Sequence, residues 1–594
     1  MSYWLPKCLV MNNKFVISLF ALILSVQVGN AQSAEVTNSN LPSFAIKYNE
    51  KMFGENVFIF DPTMDVKEIQ TLIDTLYNKQ QPRKSEFGLN RYALLFKPGT
   101  YQLDLKIGYY MHFIGLGESP DDVVIQGTLL SKGQKNGNVT CNFWRSVENL
   151  CIATPSGSVN IWGVSQAAPM RRVHIKGDIQ LHDNGWASGG FIADCKIDGT
   201  VFAGVQQQWF TRNADIGKWD GGNWNMVFVG VVNAPADRWP ENPYTVITET
   251  SVIREKPYLT FAESQYSIKI PQLYDNSAGV SWINGKHNEE TVPLSDFYIA
   301  KPNKDNAQTI NAQLLKGKNI FLCPGIYLLD QSLKITRPGT IVTGYGMPSL
   351  VSGNGNPVVE ISDVDGVTVC GITIDAGKIR SQTLFQAGET KSNINHEKNP
   401  SFLFDIFIRV GGYGEGTASS CMVINSKNVY IDHTWLWRAD HGKNVGWDKN
   451  TCKNGLIVNG DHVTVYGLFC EHFQEYQTLW NGNDGRVYFY QSEMPYDPPT
   501  AADFKNGLTN GYASYKVSDS VTSHEAWGLG IYCVFFKAPV IVDQAIETPV
   551  YLEKDIHHKI IYWLSGGNKG SVIKSVINGK GGYVDSTKVK TVMD

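Results

Sequence analysis

The sequence predicts an all-β chain built from two tandem right-handed parallel β-helix domains packed side by side. Three observations carry that reading. A segment near the start recurs roughly 230 residues further on, too far apart for a short-period array and right for a duplicated domain. Short β-branched strands separated by Asn, Asp or Gly turns recur at intervals of roughly 20–25 residues. Each copy also opens on one amphipathic helical pattern, which can cover the end of a stack of coils where bare strand edges would invite aggregation. A β-sandwich or propeller also uses short strands, but no blade motif recurs.

Taken in order, the chain starts with Met11-Asn-Asn-Lys14, an apolar run from Phe15 to Val28 and the small-x-small triplet Gly29-Asn30-Ala31. This reads as a secretory signal, so residues 1–31 are expected to be leader and the mature protein to be secreted or periplasmic. The run is too short and wrongly flanked for a stable membrane span. The N-terminal domain is expected over 32–285, including a connecting segment. It holds Val57-Phe-Ile-Phe-Asp-Pro62, a helical pattern around Glu68 to Tyr77, Leu94-Leu-Phe-Lys-Pro98-Gly99-Thr-Tyr101 and Phe113-Ile-Gly115-Leu-Gly117. The C-terminal domain, 286–594, repeats this as Phe297-Tyr-Ile-Ala-Lys-Pro302, a helical pattern around Asn306 to Leu315, Ile320-Phe-Leu-Cys-Pro324-Gly325-Ile-Tyr327 and Ile341-Val-Thr-Gly344. Strand patterns follow at Gly366–Ile374, Asn428–Ile431, His462–Tyr466 and Arg486–Tyr490. Asn233 to Gly285, rich in Pro and polar turns, reads as the connection and the closing coils of the first domain.

Composition narrows the function. The 594 residues carry 52 basic and 56 acidic side chains, a formal charge of −4. That balance argues against a protein that grips nucleic acid or an anionic membrane. Aromatic residues make up 12% of the chain, which excludes disorder. Charged residues are only 18%, and low charge with many Gly, Asn, Tyr and Trp suits an extracellular β protein that handles sugars. Of ten cysteines, Cys8 lies in the leader, so an odd number remains and complete internal pairing is impossible. No C-x-x-C pair gives a zinc signature, and neither metal nor cofactor is expected. The cysteines read as small core hydrophobes, with Cys141–Cys151 or Cys452–Cys470 open as disulfides.

The richest segment for chemistry is Tyr430 to Pro499, with Trp435, Trp437, Asp440, His441, Trp447, Glu471, Trp480, Glu493 and Tyr496. Aromatic faces stack on pyranose rings and carboxylates bond hydroxyls, although the same residues fill a core equally well. Glu471 and Glu493 close adjacent strand patterns. Stacked coils are about 5 Å apart, so the two carboxyls can meet on one face. Beside each other in an aromatic cleft, one would stay protonated near neutral pH, as a glycosidase general acid must. The other reading is two solvated loop carboxylates. A lyase on the same architecture would need an acidic cation cluster and a basic residue for an anionic sugar, and neither is visible. A non-catalytic glycan-binding rod would leave the two Glu dispensable.

The stretch from Trp480 through Gln491-Ser-Glu493-Met-Pro-Tyr496-Asp to Pro499 resembles glycoside hydrolase family 55, the β-1,3-glucanases called laminarinases. So do Trp435-Leu-Trp-Arg-Ala-Asp-His441 and the segments Gln206–Asn213 and Trp224–Gly230. The resemblance implies two tandem β-helices with the site between them, and inverting, often exo-acting hydrolysis of β-1,3-glucan by a monomer. It implies Glu493 as the general acid, Glu471 as a partner that supports its protonation or binds the sugar, and a water held by Gln and Ser of the first domain. Gln206 and Gln208 are the candidates for that Gln. Where the Ser is expected, the sequence reads Val227-Phe-Val-Gly230. Asp440 and His441 are expected at the hydroxyls of the polysaccharide, and Trp447, Trp480 and Tyr496 as its ring platform.

Overall fold

A computed structural model describes residues 41–283 and 289–594. The expected leader, and the expected boundary between residues 285 and 286, fall outside these residues. In the first module the coils stack in parallel through Phe58, Leu94, Phe113, Val147, Met170, Ile192, Thr211, Phe228 and Val246, each paired with the next. In the second the ladder runs Tyr298, Ile320, Val342, Val369, Leu403, Ile431, Val465, Val487, Ala526 and Ile556. Parallel coils let every internal strand pair on both edges, and inward side chains form one continuous apolar column per module.

Both expected helices form. In Val66–Gln80 the buried Ile69, Leu72, Ile73 and Leu76 share one face and join the first column. Asp65 caps it, accepting from Lys67 N at 2.8 Å. In Ala307–Leu315 the buried face is Ala307, Ile310 and Leu314, and Asn306 closes a capping box with Thr309. The connecting segment departs from expectation. Tyr244–Ile247 is a last parallel coil, but Thr250–Arg254 pairs antiparallel with Leu273–Ser277, and Tyr258–Ala262, Gln265–Ile270 and Glu290–Pro293 form an antiparallel meander. Its reason is visible in the charges it delivers. Glu255 and Lys256 enter the seam between the modules.

That seam is both apolar and ionic. Phe143, Trp144, Phe191, Phe210 and Val227 of the first module join Phe407, Trp435, Trp437, Phe469 and Phe489 of the second in one buried cluster. Arg171 grips Asp405 in a bidentate pair at 2.8 and 2.9 Å and Asp432 at 2.7 Å. Arg212 bonds Asp432 at 2.9 and 3.0 Å and Glu255 at 2.6 and 2.8 Å. Lys256 adds Glu148 and, at 3.2 Å, Asp405. Buried charges persist only when paired in this way.

Candidate active site

Parallel stacking turns residues at equivalent positions into rows along each rod. One outward row of the second module reads Asp375, Arg409, Trp437, Glu471. Glu493 continues it: Glu471 and Glu493 both lie two residues beyond the Phe469–Gln491 pair, and His472 N donates to Glu493 O at 2.8 Å. The row goes on to Tyr532 and Tyr562. Beside it Phe143 of the first module packs on Trp435, in the row next to that of Trp437, at 4.6 Å; at its foot Trp224 stacks on Tyr562 at 4.1 Å and lies 5.2 Å from Tyr532. The carboxyls therefore sit between the modules.

The two carboxyls have different surroundings. Glu471 is buried and fully served: Gln166 Nε2 of the first module donates to Oε1 at 2.7 Å and Trp435 Nε1 to Oε2 at 2.8 Å. Burial pushes its carboxyl up to about 7 against the pull of those donors. Glu493 receives the Tyr496 hydroxyl, and Gln491 Nε2 lies at 3.5 Å. Burial first, then the charges of Glu471 and Asp440, hold it well above the ordinary carboxylate range. Donors that favour the anion are more numerous at Glu471, and its charge in turn favours the protonated form of Glu493. The Glu493 side chain is 17% exposed, so a ligand can reach it. His472 Nδ1 faces the Met494 carbonyl at 3.1 Å, which can only accept, and this fixes the ring with Nε2 turned to Glu493 at 4.0 Å.

Gln166 Oε1, Gln208 Oε1, Gln491 Oε1 and the Tyr532 hydroxyl are buried without a protein partner. Buried polar atoms are rarely left unpaired, so these acceptors and this hydroxyl suit water or sugar hydroxyls. At the rim, His441 stands between two carboxylates, Asp440 at 2.7 Å and Glu86 of the first module at 2.7 Å. Burial works against its charge, but these bonds raise it to about 9, and the Asp440 carboxyl falls to about 2. His441 packs on Trp437 at 5.1 Å, next to the row.

Several expected site residues lie elsewhere. Trp480 is 0% exposed in the core of the second module, 4.7 Å from the His524 ring, because its short strand turns it inward; it is no ring platform. Trp447 packs against the same core with the Arg438 guanidinium 5.4 Å over its ring. It reaches the site only through Arg438, which bonds Asp497 beside Tyr496 at 3.0 Å. Gln206 is spent on stitching coils: its amide donates to Leu181 O at 2.6 Å and accepts from Gly189 N at 2.8 Å. Both ends of its amide are committed to backbone, and the side chain is fully buried. Gln208 donates to Ser188 O and keeps its oxygen free. Val227 and Val229 line the apolar seam, whereas the hydroxyls of Ser165 and Ser188 pair at 2.8 Å near Gln166 and Gln208. Among the described residues no disulfide forms; Cys141, Cys151, Cys452 and Cys470 are all free. Gln166 and Tyr532 carry no motif, and only the tertiary structure reveals them; Trp224 opens a segment of the resemblance that assigns it no role.

Comparison with known proteins points the same way. A family model described as the LAM55 pectate lyase-like domain matches residues 297–493. An exo-beta-1,3-glucanase of Streptomyces sp. (strain SirexAA-E / ActE) is 45% identical over 518 residues, which is 86% of this chain and 85% of the relative. The structure of sacteLam55A from Streptomyces sp. SirexAA-E superposes with a TM-score of 0.88 at 43% identity, over 91% of this chain and 98% of that one. A glutamate variant of sacteLam55A in complex with glucose gives the same TM-score of 0.88.

Proposed function

The chain belongs to glycoside hydrolase family 55, and from that premise we propose that it hydrolyses laminarin-type β-1,3-glucan from chain ends by inversion, in the cleft between its modules. The observation that carries this is the Glu471–Glu493 pair, two carboxyls on successive coils where the modules meet, with the charge of Glu471 raising the proton affinity of Glu493. Glu493 gives its proton to the glycosidic oxygen as the bond breaks. Glu471, held as an anion by Gln166 and Trp435, keeps that proton in place until the leaving oxygen gathers charge. A water accepted by the free amide oxygens of Gln166 and Gln208 attacks the opposite face of the oxocarbenium-like centre. Inversion needs acid and water separated by the thickness of the sugar, and drawing them from different modules supplies that gap. Trp224, part-exposed at the foot of the row, offers the ring there, backed by the buried Tyr532 and by Tyr562, with Asp440 at the rim.

One chain supplies both walls of the cleft, which supports a monomer. The residues of 1–31 support export. Among the described residues no helix is long and apolar enough to cross a membrane. The test is to incubate the purified protein with laminarin and follow the first products by NMR. Release of glucose, first as the α-anomer, is expected. First release of the β-anomer would overturn inversion, and internal fragments without glucose would overturn end-on cleavage.

A further inference from the structure

We propose that Glu86, Cys141 and His441 form a site for a zinc-type divalent cation that straps the two modules together at the rim of the cleft. Glu86 and Cys141 come from the first module and His441 from the second, so no sequence spacing announces the set. One ligand atom of each lies within 4.8 Å of the others, and His441 Nε2 is 2.7 Å from Glu86 Oε1. Zinc holds such atoms about 3.3–3.8 Å apart around itself, which needs only small side-chain shifts. Carboxylate, imidazole and thiolate are the donors this ion takes most readily.

A second observation points to a ligand independently. His441 Nδ1 is bonded to the Asp440 carboxylate at 2.7 Å. Metal-binding histidines are oriented by such a carboxylate on the far ring nitrogen, which leaves Nε2 to the ion. Here Nε2 faces Glu86 Oε1 at 2.7 Å, and the Cys141 sulfur lies within 4.8 Å of both. The site is accessible: the His441 side chain is 31% exposed and Cys141 half-buried. Arg83 occupies the other oxygen of Glu86, Oε2, and leaves Oε1 available.

The charges also balance. Before binding, the anions Glu86 and Asp440 face the cations His441 and Arg83. The ion displaces one proton from His441 Nε2 and one from Cys141 Sγ. Three anions (Glu86, Asp440 and the thiolate) then face the dication and Arg83. The net charge of the cluster is unchanged, and a solvent water completes the coordination. A second cluster with comparable donors among the described residues, Asp121, Cys151 and His174, lies within the first module alone, and its cysteine and histidine are both buried, whereas Cys141 and His441 are part-exposed.

The test titrates the metal-free full chain with Co²⁺, whose thiolate complex has a charge-transfer band in the near ultraviolet, and then displaces it with Zn²⁺. A single equivalent giving that band is expected. It should vanish in Cys141→Ser, persist in Cys151→Ser, and weaken in affinity by about 10–100-fold in Asp440→Asn. Wild-type protein without the band, or a band that survives Cys141→Ser, overturns the proposal. Thiol alkylation of the wild type, mapped by mass spectrometry, keeps the test open if Cys141→Ser does not fold. Zinc should protect Cys141, and equal labelling with and without zinc overturns the site.

Discussion

The two modules share one architecture and divide the chemistry. Each is a parallel stack closed by an amphipathic helix at its start. Their facing surfaces differ. The second module presents a row of carboxyls and aromatic rings, Trp437, Glu471, Glu493 and Tyr532. The first presents amides and fixed cations, with Gln166 on Glu471, the free oxygen of Gln208, and Arg171 and Arg212 in the seam. A β-helix specifies where a row stands, not what it carries. On the proposed mechanism, duplication lets one copy keep a proton while the other grips water and its neighbour.

That division can be broken at several points. The largest effect is expected at the acid. Glu493→Gln should lower turnover on laminarin by about 10²–10⁴-fold with an unchanged circular dichroism melt. Turnover near wild type would remove the proton donor from the second module and undo the comparison. Next comes the seam. Arg212→Met leaves Glu255 without its cation in a buried setting and should cost about 3–5 kcal/mol, read from the urea midpoint.

The two first-module glutamines should then separate. Gln166→Ala should slow hydrolysis by about 10²-fold without a loss of stability of similar weight. Gln206→Ala should cost about 1–3 kcal/mol, because Gly189 N and Leu181 O lose their partner, while kcat/KM stays close to wild type. The reverse pattern would exchange their roles. The smallest change sharpens the acid itself. The Glu471 charge holds the proton on Glu493, so Glu471→Gln should let that proton leave at lower pH. The alkaline limb of kcat/KM should move toward acid by about 1–3 units. An unmoved limb would mean that burial and Asp440, without Glu471, set the proton affinity of Glu493.

Much of this was legible in residue order, for identifiable reasons. The duplicated Pro-Gly-x-Tyr corners and the helices at Val66–Gln80 and Ala307–Leu315 follow from local pattern, and the structure contains them. Glu471 and Glu493 were placed together because a parallel stack fixes equivalent positions. The tryptophans were not, since period-2 alternation can turn an aromatic either way. Trp480 went inward with the core, while Trp437 went outward beside Glu471. Gln206 and Gln208 are two residues apart on one coil, and only their partners tell the stitching amide from the one with a free oxygen. The connecting segment was mistaken for coils because its strands alternate as coil strands do; antiparallel pairing shows only in the register.

By itself the chain order determined the repeat, the stacking period, the end caps and the pairing of two carboxyls on neighbouring coils. These depend on contacts within a coil or between successive ones, which local sequence encodes. Tertiary structure alone decided what crosses from one rod to the other: Gln166 on Glu471, Trp224 on Tyr562, Arg171 and Arg212 among the buried acids, and Glu86 with Cys141 against His441. Those partners are hundreds of residues apart, and no spacing rule links them. They meet because two apolar faces must bury each other, and burial dictates which polar groups are left to pair.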